Sequence, residues 1–358
     1  MYEALKPWLF RSDPETAHDV TMRLLECSSN HPGALRLISW LFEKRDPRLE
    51  VHRFGLSCHN PVGLAAGFDK DARATAAWPA MGFGFVEVGS VTALAQPGNP
   101  QPRLFRLPDD EALINRFGFN NDGAREVATR LARQREHVNV PIGVNIGKSK
   151  VVPLEDAVSD YLDSLKLLWS VADYITINVS SPNTVGLRDL QRREYVDDLL
   201  APIAEFIDQQ PETKPWFVKV TVDAPNDQLD AVLASCETHA VTGVIMSNTT
   251  VDREGLHSPH HLIQEAGGLS GKPLAERGLE GIKAIKQRAP DLGIIAVGGI
   301  SSAQDVIDRM RAGASLVQLY TGLVYEGPWV LKKICEGLLE YVIREQLISL
   351  SEIIGADV

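Results

Sequence analysis

Amides, hydroxyls and two lysines recur at the ends of short apolar runs along this chain. Gly67-Phe68-Asp69-Lys70 ends one run, Gly89-Ser90 the next, Asn145 a third, and Asn178-Val179-Ser180-Ser181-Pro182-Asn183 a fourth. Lys219 lies in a fifth and Ser247-Asn248-Thr249-Thr250 closes a sixth. A loop cap explains any one of these, but their recurrence at successive run ends is better explained as the wall of one pocket. Gly298-Gly299 and Tyr320-Thr321-Gly322 each stand at a run-to-helix junction, and Gly267-Gly268-Leu269-Ser270-Gly271 precedes the seventh run. Glycines let backbone N–H groups approach an anion, so these positions imply a phosphorylated ligand; plain turn glycines are the competing explanation.

Other chemistries fit less well. Gly143-Val144-Asn145-Ile146-Gly147-Lys148-Ser149 has three intervening residues where a Walker A loop needs four, and Gly271-Lys272 is followed by Pro273. His257, His260 and His261 lie in a Gly/Ser/Pro-containing loop without a thiolate, so no metal is expected. With no evident carboxylate dyad or Ser-His-Asp constellation, glycosidase and hydrolase chemistry recede. Redox chemistry on a phosphorylated cofactor remains, and a lysine such as Lys219 could sit by the N1/O2 edge of a flavin.

These residues need elements to hold them together. The runs 61–68, 84–92, 140–147, 174–180, 216–221, 242–249, 293–300 and 315–322 are Val/Ile-rich and continuously apolar, the pattern of parallel strands buried on both faces. Helical periodicity follows each, at 71–80, 122–136, 155–171, 195–209, 226–238, 279–288, 302–312 and 328–344. Eight alternating units predict an α/β (β/α)8 TIM barrel spanning 49–358, whose active site lies at the carboxyl ends of the strands. A doubly wound sheet is the competing architecture, but no GxGxxG follows the first strand. Residues 49–60 suggest a hairpin closing the barrel's amino-terminal end.

The first 48 residues break that rhythm. Asp13-Pro14-Glu15 looks like a helix start, with Ala17, Val20, Thr21, Leu24 and Leu25 on one face; a second stripe runs Ala34, Leu37, Ile38, Leu41, Phe42. Two amphipathic helices are expected here, either packed on the barrel or meeting a membrane surface or apolar ligand. The segment carries seven basic and seven acidic residues, so the whole net charge of −11 belongs to the remainder. That balance argues against nucleic acid as a partner. Four dispersed cysteines form no CxxC, which suits a reducing compartment. Neither an apolar stretch of about 18 residues nor a signal-peptide pattern is present.

Four motifs carry a family resemblance: Asn115-Arg116-Phe117-Gly118-Phe119-Asn120-Asn121, Ile177 to Thr184, Ser247-Asn248-Thr249-Thr250, and Gly267 to Leu274. In this order they resemble class 2 dihydroorotate dehydrogenase, the FMN- and quinone-dependent enzyme of pyrimidine synthesis, and the likeness covers essentially the whole chain. It implies Ser181 as the base that removes the C5 proton of dihydroorotate while hydride leaves C6. The implied substrate contacts are Lys70, Asn115, Arg116, Phe117, Gly118, Phe119, Asn178, Asn183, Asn248 and Thr249. For one FMN per chain they are Ala66, Gly67, Phe68, Asp69, Lys70, Ser90, Asn145, Asn178, Lys219, Ser247, Gly271, Gly299, Tyr320 and Thr321. Ser90 stands where the family often has threonine.

The resemblance also makes residues 1–48 a quinone-access segment, with His18 and Arg106 at the tunnel's inner end. It thereby implies a monomer bound peripherally to the cytoplasmic side of a bacterial inner membrane, without a mitochondrial presequence. A soluble class 1 enzyme is the alternative, disfavoured by serine at 181 in place of cysteine and by the extra helices. From another class, a non-catalytic flavin- or phosphosugar-binding barrel also fits the glycines.

Overall fold

The computed structural model describes residues 2–184 and 186–358; Met1, within the predicted 1–48 segment, and Val185 lie outside the described residues. Three helices lead: α1 Tyr2–Leu9, α2 Pro14–Ser29 and α3 Pro32–Phe42. Two were expected; the run before Asp13 also forms a helix despite Pro7 within it. Asp13 caps α2, its carboxylate accepting the Thr16 N–H at 2.8 Å, and Pro14 supplies a preset φ at the first helical position.

The antiparallel hairpin β1 Val51–Arg53 and β2 Leu56–Cys58 precedes the barrel. Then follow β3 Val62–Leu64, α4 Ala77–Ala80, β4 Phe85–Val91, an inserted hairpin β5 Leu104–Leu107 and β6 Ala112–Asn115, and α5 Ala124–Gln134. The middle units are β7 Ile142–Ile146, α6 Ala157–Leu168, β8 Tyr174–Asn178, α7 Arg193–Asp208, β9 Trp216–Val220 and α8 Asn226–Thr238. The last comprise β10 Gly243–Met246, α9 His260–Ile263, β11 Gly268–Gly271, α10 Ala275–Arg288, β12 Gly293–Val297, α11 Ala303–Arg311, β13 Leu316–Leu319, α12 Thr321–Glu326 and α13 Val330–Arg344.

The barrel closes in the order β10-β12-β13-β3-β4-β7-β8-β9, every pairing parallel, and each of the eight predicted strands is in it. Its amino-terminal end is filled by Phe85, Tyr174, Phe217, Ile245, Ile295 and Leu316, capped by Val51, Phe54 and Leu56 of the hairpin. Large rings fit because glycines oppose them: a Cβ on Gly143 would lie 2.0 Å from the Tyr174 ring. Such alternation of small and large residues fills a barrel interior without strain.

Two expectations change. Only Ala77–Ala80 of the predicted 71–80 helix is helical, because the Asp69 carboxylate draws in the N–H groups of Arg73 at 2.7 Å and Ala74 at 2.9 Å and holds the chain in turns. Gly268–Gly271, taken for a phosphate loop, is a strand; it pairs with β6, and β6 with β5, in an antiparallel sheet set beside the barrel mouth. The predicted 328–344 helix is preceded by a separate short one, α12, whose start at Thr321 stands at the barrel rim.

Candidate active site

A cavity of about 980 Å³ opens at the carboxyl ends of the strands. Strand ends supply Ala66, Gly67, Lys70, Ser90, Asn178, Lys219, Ser247, Asn248, Thr249, Gly299, Tyr320 and Thr321; the antiparallel sheet and its flank supply Asn115, Phe117, Gly118, Phe119 and Gly271; the loop after β8 supplies Ser181 and Asn183. Parallel strands ending together explain the convergence, since each carries its last side chains to the same rim.

The amides of this wall are ordered head to tail. The Thr249 N–H donates to Asn248 Oδ1 at 2.8 Å, Asn248 Nδ2 to Asn178 Oδ1 at 3.3 Å, and Asn178 Nδ2 to Asn145 Oδ1 at 3.1 Å. Asn145 Nδ2 then donates to the Glu87 carboxylate at 2.8 Å. Ser90 also donates to Asn145 Oδ1. Asn145 therefore stands behind the wall and orients Ser90 and Asn178. Ser181 is buried, its Oγ accepting the Asn183 N–H at 3.2 Å; the Asn183 amide in turn donates to Asn115 Oδ1 at 3.3 Å.

Both lysines are electrostatically exposed to burial. Lys70 Nζ lies 3.8 Å from the Phe117 ring centroid, and burial pulls its ammonium down to about 8 against the pull of Asp71. Lys219 is lowered by burial, with Glu87 opposing. At the rim after β12, Gly299 has φ +65°, and a Cβ there would stand 2.5 Å from the Ala275 backbone. Arg309, buried beneath, donates to the Gly298 carbonyl at 2.8 Å. The Gly299 and Thr321 N–H groups have no acceptor among the described residues.

A second, mostly apolar pocket of about 530 Å³ lies between the N-terminal helices and the barrel, lined by Tyr2, Leu9, Phe10, Pro14, Ala17, His18, Phe68, Leu104, Arg106, Leu113, Tyr320 and Val324. Tyr320 borders both cavities. His18 packs edge-on against Phe68 with centroids 4.9 Å apart, and burial, then Lys70, pulls its imidazolium down to about 3, leaving it neutral. Arg106 donates to the Ser12 carbonyl at 2.8 Å, and burial lowers its guanidinium.

Some expected residues face elsewhere. The Arg116 guanidinium turns away from the cavity to pair with Glu265 at 2.5 Å, because strand alternation at the end of β6 sends it outward. Phe68 lines the second pocket, and the fully buried Asp69 serves its own loop, accepting also from Trp78 Nε1 at 3.1 Å. Conversely, Ser270, Leu274, Val297, Ile300 and Gln318 line the cavity without having been assigned a role. A glutamine in a fully buried strand was the available signal for Gln318.

The class is that of TIM-barrel proteins with a cavity of amides, hydroxyls and two lysines at the strand ends, a side-chain-free turn after the seventh strand and a separate apolar side pocket. Residues 48–342 match the family model described as dihydroorotate dehydrogenase. The dihydroorotate dehydrogenase (quinone) of Gloeobacter violaceus is 49% identical over 99% of this chain and 98% of its own length. That of Halobacterium salinarum is 46% identical over all of both chains. A crystal structure of the Eimeria tenella enzyme in complex with ferulenol superposes with TM-score 0.87 at 36% identity, covering 97% of this chain and 96% of that one. The chain belongs to the dihydroorotate dehydrogenase family, in its quinone-dependent class 2.

Proposed function

We propose that the protein oxidises dihydroorotate to orotate and delivers the electrons to a quinone, the reaction for which its relatives are named, within pyrimidine biosynthesis. The observation that carries this reading is the convergence of Lys70, Asn115, Asn178, Asn183, Asn248 and Ser181 on one cavity whose far rim is a side-chain-free glycine turn.

The residues fit FMN. Gly299 leaves room for phosphate against the backbone, two rim amides lack acceptors among the described residues, and the buried Lys219 side chain lines the same cavity. Bound there, FMN supplies the hydride acceptor for C6 of the substrate. Lys70 holds the substrate carboxylate, while Asn115, Asn178, Asn183 and Asn248 take the polar edges of the planar ring. Ser181 takes the C5 proton; the Asn183 N–H at its oxygen favours the deprotonated form, which a free serine lacks.

The apolar pocket favours a quinone over a soluble acceptor. His18 is neutral there and able to donate a hydrogen bond, and Arg106 adds a cation to the lining of the same pocket. The N-terminal helices would rest on the membrane, with the protein a peripheral monomer on the cytoplasmic face. Among the described residues no helix is long and apolar enough to cross a bilayer. One cuvette tests the reading: a yellow preparation bleached anaerobically by dihydroorotate, with orotate formed in equal amount, and recoloured by quinone. A preparation that binds flavin but is not bleached is a binding barrel.

A further inference from the structure

The segment that carries Ser181 leaves β8 under the hold of side chains from elsewhere. The Asn178 carbonyl accepts from the Tyr161 hydroxyl at 2.8 Å, the Val179 carbonyl from Gln191 Nε2 at 2.9 Å, and the Ser180 carbonyl from Arg188 Nε at 3.1 Å. The last of these bears directly on Ser181. A peptide unit is planar, so the Ser180 carbonyl and the Ser181 N–H turn together, and fixing one fixes the plane from which the Ser181 side chain departs.

Arg188 stands in the short helical turn Leu187–Gln191 and lines neither cavity. Its other donors go to other strand-end loops: Nη2 to the Thr249 carbonyl at 3.1 Å, after β10, and Nη1 to Asp223 Oδ2 at 3.1 Å, after β9. Asp223 also accepts the Thr250 hydroxyl at 2.5 Å, the Val251 N–H at 3.0 Å and Arg277 Nη2 at 3.1 Å, so the counter-ion is itself held firmly. The turn carrying Arg188 is anchored in the same way, its carbonyl accepting from Gln228 Nε2 of α8 at 3.1 Å.

We propose that Arg188 is a positioning residue for proton removal: its guanidinium clamps the Ser180–Ser181 peptide to the Thr249 loop and so fixes where the Ser181 hydroxyl stands on the cavity wall. This rests on reading Ser181 as the base. One planar fork with donors at fixed angles serves three loops at once, which a lysine ammonium on a flexible stem does not reproduce. The Ser180 hydroxyl ties its own side chain to Asn178 and Asn248, at 3.0 and 2.9 Å, but the peptide beyond it is oriented by Arg188.

The test compares anaerobic flavin bleaching at saturating dihydroorotate, and orotate affinity read from the flavin spectrum, in the holoenzymes of wild type, Arg188→Met, Ser181→Ala and the double variant. Arg188→Met is expected to purify yellow and to bleach roughly tenfold or more slowly, since misplacing a reacting group by about 1 Å can cost up to about 10²-fold. Orotate needs no proton removed, so its affinity should change by less than about threefold, and the double variant should bleach no more slowly than Ser181→Ala, because a residue that acts through another adds nothing once that other is gone. Wild-type bleaching in Arg188→Met, a loss of affinity as large as the loss of rate, or slowing that multiplies in the double variant overturns the proposal and leaves Ser181 as the base. Normal bleaching in Ser181→Ala removes the base reading and the proposal with it. Should Arg188→Met not fold, Arg188→Lys, which keeps the charge opposite Asp223 without the fork, decides: slowed bleaching in a yellow preparation supports the clamp, and a wild-type rate overturns it.

Discussion

The two cavities meeting at Tyr320 are built on opposite plans. The larger is a wall of strand ends whose polar groups are tied to one another in a directed chain ending at Glu87, so that each group's orientation is fixed before a ligand arrives. The smaller is a gap between packed pieces, apolar apart from His18, Arg106 and two tyrosine hydroxyls, and its outer wall is α1 and α2, whose other faces leave Trp8, Val20 and Leu24 exposed. Preorganised polar groups suit bond-making, and an apolar gap suits partitioning of a greasy acceptor. On the proposed reading, the difference teaches that one molecule separates chemistry from access, with Tyr320 bordering both cavities.

Breaking the polar side has the largest expected effects. Gly299→Val would set a side chain against the Ala275 backbone and distort the turn proposed to hold the phosphate, so the protein should purify without flavin while its circular dichroism stays native. A fully yellow preparation would move the phosphate elsewhere. Next comes Ser181→Ala: flavin content and orotate binding should persist while anaerobic bleaching by dihydroorotate slows about 10²-fold or more, the range for removing a general base. Near-normal stopped-flow bleaching removes Ser181 as the base.

The apolar side breaks differently. Ala17→Phe would project a ring from α2 into the apolar pocket, so quinone-linked turnover should fall roughly tenfold while bleaching by dihydroorotate is unchanged. Equal loss in both half-reactions would mean that the two cavities are not functionally separate.

Their legibility in the sequence differs for the same reason. The polar cavity lies at the ends of eight runs, and local patterning reveals both the runs and their terminal residues. What escaped is what depends on distant pairing: β11 read as a glycine loop because its partner β6 lies far back in the chain, and Arg116 sits inside a matching motif yet is turned out to Glu265. Asp69 reads as a site residue by position, whereas its carboxylate is spent on the Arg73 and Ala74 amides. The apolar pocket draws residues from α1, α2, β5, β6 and α12, and α1 itself is masked by Pro7. The resemblance named His18 and Arg106 there, and the amphipathic face read from the sequence supplied Ala17.

A smaller effect sharpens the polar side. Lys70, held at about 8 by burial, loses its charge as pH rises through that value, and an anionic substrate then loses its partner. The KM for dihydroorotate should climb above pH 8, by up to about tenfold per unit, with a lesser change in kcat. Lys70→Arg, if it binds substrate, should show no such climb; an identical climb in both would assign the titration to another group.

The smallest expected effect lies on the outer face of the helices. Trp8 is 71% exposed and Trp40 76%, on α1 and α3. Indole rings favour the level of lipid headgroups, and partial burial there contributes on the order of 1 kcal/mol each. Trp8 is largely exposed, with the Arg11 guanidinium over its ring at 5.1 Å, so replacing it costs the fold little. Trp8→Ser with Trp40→Ser should therefore reduce co-sedimentation with lipid vesicles several-fold, leave flavin bleaching by dihydroorotate intact, and lower turnover with a long-chain quinone in vesicles more than with a short-chain quinone in solution. Equal turnover with both quinones and undiminished vesicle binding would show that these rings serve another purpose and that the apolar pocket is reached by a different face.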